Sequence, residues 1–169
     1  GRPIPKLLYG LAMSGDADDP EGVEGNTVTA RVAFDVMPNI TVGALVVSGT
    51  CDAVNCTVDR EYKRTAIDAQ ADVSNFVINA AYVQANDDNA FATADVDNDA
   101  YYVQASYTVK EGSRTTGAPL VRYDSYDKLY GAETINELTL GVNYYFTENV
   151  RGMVEYWGRG GDGATADDD

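Results

Sequence analysis

Residues 136–160 read NELTLGVNYYFTENVRGMVEYWGRG, and their alternation decides the fold. In Glu137–Phe146 the even positions Leu138, Leu140, Val142, Tyr144 and Phe146 are apolar. The odd positions Glu137, Thr139, Gly141 and Asn143 are polar or small. After a short turn at Thr147-Glu148-Asn149, Val150, Gly152, Val154 and Tyr156 share one face. Arg151, Glu155 and Arg159 take the other, with Met153 and Trp157 between them. Successive side chains of a strand point to opposite faces, so the stretch predicts a hairpin with one apolar flank and one wet, charged flank.

The same alternation runs back along the chain. It predicts strands at Lys6–Ser14, Asn26–Val36, Ile40–Gly49, Lys63–Val73, Phe76–Asn86, Ala100–Lys110 and Ala118–Asp127, nine with the hairpin. Connections alternate in length: Met37-Pro38-Asn39 and Ser74-Asn75 are tight, whereas Gly15–Gly25, Thr50–Tyr62 and Asp87–Asn98 are long. Glu111–Gly117 is intermediate, and Leu129–Ile135 links into the final hairpin. No segment shows helical spacing, so the chain reads as an all-β antiparallel meander. The candidates run to about 9–12 residues, longer than the soluble mode of roughly 5–6 and close to the roughly 9–11 that cross a bilayer at a tilt. Strand length and the short–long alternation of connections predict an up-and-down transmembrane β-barrel. Tyr9, Phe34, Phe76, Tyr101, Tyr107, Tyr144, Phe146 and Tyr156 lie near strand ends, where aromatic girdles belong.

Composition narrows the function. The chain has 169 residues, is 44% hydrophobic and carries a net charge of −15, which argues against nucleic acid as a partner. The acids collect between strands: Asp16, Asp18, Asp19, Glu21 and Glu24 in one segment, Asp87, Asp88, Asp95, Asp97 and Asp99 in another. No apolar run is long enough for a transmembrane helix. Gly1–Pro5 contains no signal-like apolar segment, so the expectation is a mature, processed or partial chain. Catalysis finds no support, with no His, no Gly-rich phosphate loop and no nucleophile elbow, and no cofactor is expected. Cys51 and Cys56 share one polar loop; a disulfide in an oxidising compartment and a pair of free thiols both fit. Asp95, Asp97 and Asp99 recur at every second position and offer oxygen ligands to a hard cation, although the full calcium-loop pattern is missing.

What the non-apolar flank holds is the energetic crux. Arg31, Asp35, Asp68, Gln70, Asp72, Gln104, Lys110, Arg122, Asp124, Arg151, Glu155 and Arg159 all fall opposite the apolar faces and are the candidate pore-lining residues. So many ionised groups cannot sit in a dry core without partners, so they face water, outside a soluble sheet or inside a wet barrel. Two alternatives to a pore stay open: a soluble or surface-exposed β-sandwich module whose second sheet covers the apolar flanks, and a non-channel outer-membrane barrel serving as a scaffold.

Four phrases carry a family resemblance. YYVQASYTVKEGSRTTG (101–117), APLVRYDSYD (118–127), ELTLGVNYYFTENVRGMVEY (137–156) and DAQADVSNFVINAAYV (68–83) follow one another as in the phosphate-selective porin O/P family, which 65–160 resembles well and 1–64 loosely. The resemblance implies a bacterial outer-membrane barrel of 16 antiparallel strands, commonly trimeric, in contact with lipid bilayer and lipopolysaccharide, with acidic loops outside, passing small polar or ionic solutes by diffusion. Nine strands are odd where single-chain bacterial barrels are even, and Asp167-Asp168-Asp169 replaces the usual terminal aromatic residue. The expectation is therefore a single barrel domain over 1–169, the C-terminal part of a larger porin. Its mixed-charge wall predicts weak or general selectivity.

Overall fold

The computed structural model describes residues 6–15, 26–51, 60–88, 95–128, 133–147 and 149–161. They form β1 (Leu7–Gly15), β2 (Asn26–Met37), β3 (Ile40–Cys51), β4 (Arg60–Val73), β5 (Phe76–Asp87), β6 (Val96–Tyr107), β7 (Val109–Glu111), β8 (Arg114–Lys128), β9 (Glu133–Tyr145) and β10 (Arg151–Gly161). All belong to one antiparallel sheet in chain order, with β7 pairing β8 beside β6. β7 continues β6 past a break at Thr108, so the ten strands make nine crossings, as the alternation predicts. The tight turns also form, at Pro38-Asn39 and at Ser74-Asn75, where Ser74 adopts φ 59°. Gly112 takes φ 62° in the turn between β7 and β8, a conformation glycine adopts without a Cβ clash.

Several strands extend beyond their expected ends, nearly always toward the long connections. β4 begins at Arg60 and not Lys63, β5 reaches Asp87, and β6 begins at Val96 and not Ala100. β9 begins at Glu133, inside the stretch expected to be a link, and β8 spans Arg114–Lys128 and not Ala118–Asp127. The reason is that ladder hydrogen bonds join backbone to backbone and continue past the apolar belt. Asp87 pairs Val96 and Lys128 pairs Glu133 in unbroken register although three of the four residues are charged.

The sheet has a single layer. Substantial strand contacts all follow the hydrogen-bonded ladder, so among the described residues no second sheet covers the apolar flank. The alternative of a sandwich finds no second layer among the described residues. Exposure is inverted relative to a soluble domain: Leu11 is 71% exposed, Met13 78%, Val154 72% and Tyr156 70%. The buried apolar side chains among the described residues are Ala33, Val96 and Ile135, and their register puts all three on the polar flank. Along β5 the apolar Phe76, Ile78 and Tyr82 are exposed, while Val77, Asn79, Ala81 and Val83 on the other flank are half-buried. Crowding on one face and splaying on the other is what a sheet curling toward its polar face produces. β1 and β10 are the edges and do not pair with each other.

Candidate channel wall

Register places the expected polar residues on one face, gathers several of them into two groups and adds a third group beside them. In the first, Arg31 on β2 and Asp68 on β4 form an ion pair of 2.6 Å that passes over β3. Gly43 makes the crossing feasible: a Cβ there would stand 2.5 Å from Asp68 Oδ2 and 2.8 Å from Arg31 Nη2. Nearby, Thr41 Oγ1 donates to Asp35 Oδ1 at 2.7 Å and Gln70 Nε2 to Asp72 Oδ2 at 3.2 Å.

The second group spans β6 to β10. Arg122 Nε reaches both oxygens of Asp124, at 2.9 and 2.8 Å, and its Nη2 lies 2.6 Å from Oδ1. Positions i and i+2 of a strand share a face, so this pair was legible as such. The Arg122 guanidinium also sits 4.4 Å from the Tyr102 ring centroid, a cation–π contact. Beside it, Glu137 Oε1 accepts from Arg159 Nε at 2.9 Å and from Tyr126 Oη at 3.2 Å, joining three strands. Arg159 lies 5.7 Å from the Trp157 ring centroid.

The third group was missed in the sequence. Arg64 Nη2 holds both Asp87 oxygens, at 2.8 and 2.9 Å, and Nη1 donates to Asn86 O. Arg64 has the same parity as Asp68 and Asp72, a signal that could reveal it, but its partner Asp87 reads in the sequence as a loop residue. Lys6, Tyr102 and Glu137 were likewise not singled out as wall residues. Arg114 is another omission: it donates to the carbonyls of Tyr145 and Phe146 and secures the end of β9.

Other expected residues stand apart. Gln104 faces Asn79 across the β5–β6 ladder. Arg151 and Glu155 lie exposed on β10, and Lys110 lies exposed on β7 beyond a register shift. Asp97 accepts from Asn86 Nδ2 at 2.5 Å, and Asp127 Oδ2 accepts from the Asp99 amide at 3.1 Å. Asp95, Asp97 and Asp99 fall on the parity of Tyr101, above the apolar belt, and no group of three metal-ligating side chains converges among the described residues. Cys56 lies outside the described residues and the Cys51 side chain is not described, so the disulfide question falls outside them too.

The opposite face carries aromatic rings near both ends. Toward the short turns Phe76 packs on Tyr107 with centroids 4.7 Å apart, and Tyr144 on Phe146 at 4.9 Å. Toward the long connections Tyr82, Tyr101 and Tyr123 stand on consecutive strands of the ladder, and Tyr123 Oη donates to Asn136 Oδ1 at 2.8 Å. Aromatic rings bracketing an exposed aliphatic band suit the two interfaces of a bilayer.

Gly43→Ala should force the Arg31–Asp68 pair apart. The displaced atoms are the ends of flexible, partly exposed side chains, so the stability loss should stay below about 1 kcal/mol. Urea unfolding of Gly43→Ala, Asp68→Asn and the double variant checks it. The double variant should be no less stable than Asp68→Asn alone; full additivity would show that Gly43 serves another purpose.

No curated protein matches the chain. A family model for Gram-negative porins matches residues 6–157, from the residue before β1 to the seventh residue of β10. With an apolar face bearing aromatic rings near both ends, a charged face opposite it and a match across nearly the whole sheet, the chain belongs to the Gram-negative porin family, the transmembrane β-barrels of the outer membrane.

Proposed function

We propose that the polar face lines a passive, water-filled channel for small polar solutes or ions, with mixed charge selectivity. One observation carries the reading: Arg–carboxylate pairs crowd the concave face while aliphatic side chains stand exposed on the convex one. Exposed apolar surface on that scale marks an interaction surface, and in an outer-membrane protein hydrocarbon covers it. Arg31, Arg64, Arg122 and Arg159 each face a carboxylate, so the wall offers no run of unpaired arginines among the described residues to hold phosphate. The resemblance to the phosphate-selective O/P porins therefore supports their architecture more than their anion preference.

The sheet also bears on closure. Nine antiparallel crossings leave β1 and β10 running in the same direction. In hydrocarbon every backbone donor and acceptor needs an internal partner, so open edges are not tolerated. Antiparallel closure requires an odd number of further strands, as in the 16-stranded barrel that the resemblance implies. Long acidic connections outside, lipopolysaccharide around the outer rim and a trimeric assembly complete the proposal. Planar bilayers containing the full-length protein should show ohmic conductance in KCl and a small reversal potential under a salt gradient. A protein that inserts but passes no current would remove the channel reading and leave a scaffold barrel.

A further inference from the structure

We propose that the polar face of β1–β4, near the short turns, holds a binding site for small zwitterionic solutes of the amino-acid and dipeptide class. Lys6 takes the carboxylate and Asp35 the ammonium. The inference rests on the channel reading and adds a substrate class to it. A cavity of about 300 Å³ opens there, at the lower end of ligand-pocket sizes, so it suits only a small solute.

The charges around the cavity decide its ligand. Arg31 and Asp68 neutralise each other at 2.6 Å. Lys6 and Asp35 face each other across the strand edge, where the Asp35 amide donates to the Lys6 carbonyl at 2.9 Å. Their side chains nevertheless do not pair: Thr41 draws the Asp35 carboxylate toward β3 at 2.7 Å, and no ion pair joins Lys6 to any described residue. The cavity thus carries one cation and one anion, on neighbouring strands, neither of them in an ion pair with another described residue. A simple anion would satisfy Lys6 but meet the field of Asp35, and a simple cation would do the reverse. A solute bearing both charges a few bonds apart answers both at once. Leu8 and the buried Ala33 form the next pair on the same face of the ladder and supply an apolar patch for the carbon skeleton.

The probe is L-alanyl-L-alanine, titrated onto the full-length protein in detergent micelles and followed by ligand-observed NMR. Binding should be weak and saturable. Lys6→Gln and Asp35→Asn should each weaken it by up to about fivefold, the factor for one exposed ion pair. The charge-swapped double variant Lys6→Asp with Asp35→Lys should restore it, because a zwitterion can bind reversed. N-acetylalaninamide, of similar size but neutral, should not compete. Single variants that bind as tightly as the wild-type protein, or competition by the neutral analogue, would overturn the site. KCl conductance of the wild-type protein tests the channel separately. Binding without current would remove the channel reading and, with it, the site's role in permeation.

Discussion

Ala80→Arg should cost the protein about 2–4 kcal/mol of stability, whereas Ala81→Arg, one residue away, should cost less than about 1 kcal/mol. The two substitutions remove and add the same atoms near the middle of β5. They differ only in the face they load. Ala80 pairs with Ala69 and Val103 on the apolar flank; Ala81 pairs with Asp68 and Tyr102 on the polar one. A shallow space of about 240 Å³ adjoins Ala80 between Ile67, Tyr82 and Val103, so a new side chain has room and the cost is not steric. What remains is the transfer of a guanidinium toward hydrocarbon, reduced by its reach to the interface. At Ala81 the cation meets water and the Asp68 carboxylate. Urea unfolding from lipid vesicles measures both. Equal costs would mean that lipid does not cover the apolar flank, and the reverse order would place the water on the wrong face.

This matched pair rests on the part of the fold that was most legible. Side-chain parity is a local property of the chain, so Leu138, Leu140 and Val142 announce their shared face before any partner strand is known. Connection lengths are equally local, and with them the order of the meander. What was not legible depends on register. Arg31 and Asp68 are 37 residues apart, and only the stagger of β2, β3 and β4 brings them together over Gly43. The Glu137–Arg159 pair depends in the same way on the length of the turn after β9. Strand ends are hard to read from the sequence for a different reason. Asp87, Asp97 and Asp99 look like loop residues because their side chains are ionised, yet the ladder that holds them is built from backbone groups indifferent to that charge.

Arg122 offers the second large effect, because on the proposed channel reading one side chain serves both stability and the field in the lumen. Arg122→Ala should lower stability by about 1–2 kcal/mol, combining a charge-assisted double hydrogen bond with a cation–π contact, both reduced by partial exposure. Arg122→Lys should recover less than half of that loss. An ammonium cannot reproduce the planar fork that meets both Asp124 oxygens while stacking on Tyr102. Selectivity should separate differently. Removing the cation leaves Asp124 uncompensated on the wall, so the reversal potential of Arg122→Ala should shift toward cations. Arg122→Lys, with the charge retained, should stay near wild type. Urea unfolding and bilayer reversal potentials on the three proteins resolve the two roles. If Arg122→Ala loses stability with no change in selectivity, Arg122 does not face the conducting path and the second group is a structural brace between β6 and β8. If both readouts move as expected, geometry fixes the stability of this group and net charge fixes what passes it, which is why an arginine paired to a neighbouring carboxylate can strengthen a porin wall without making it a trap for anions.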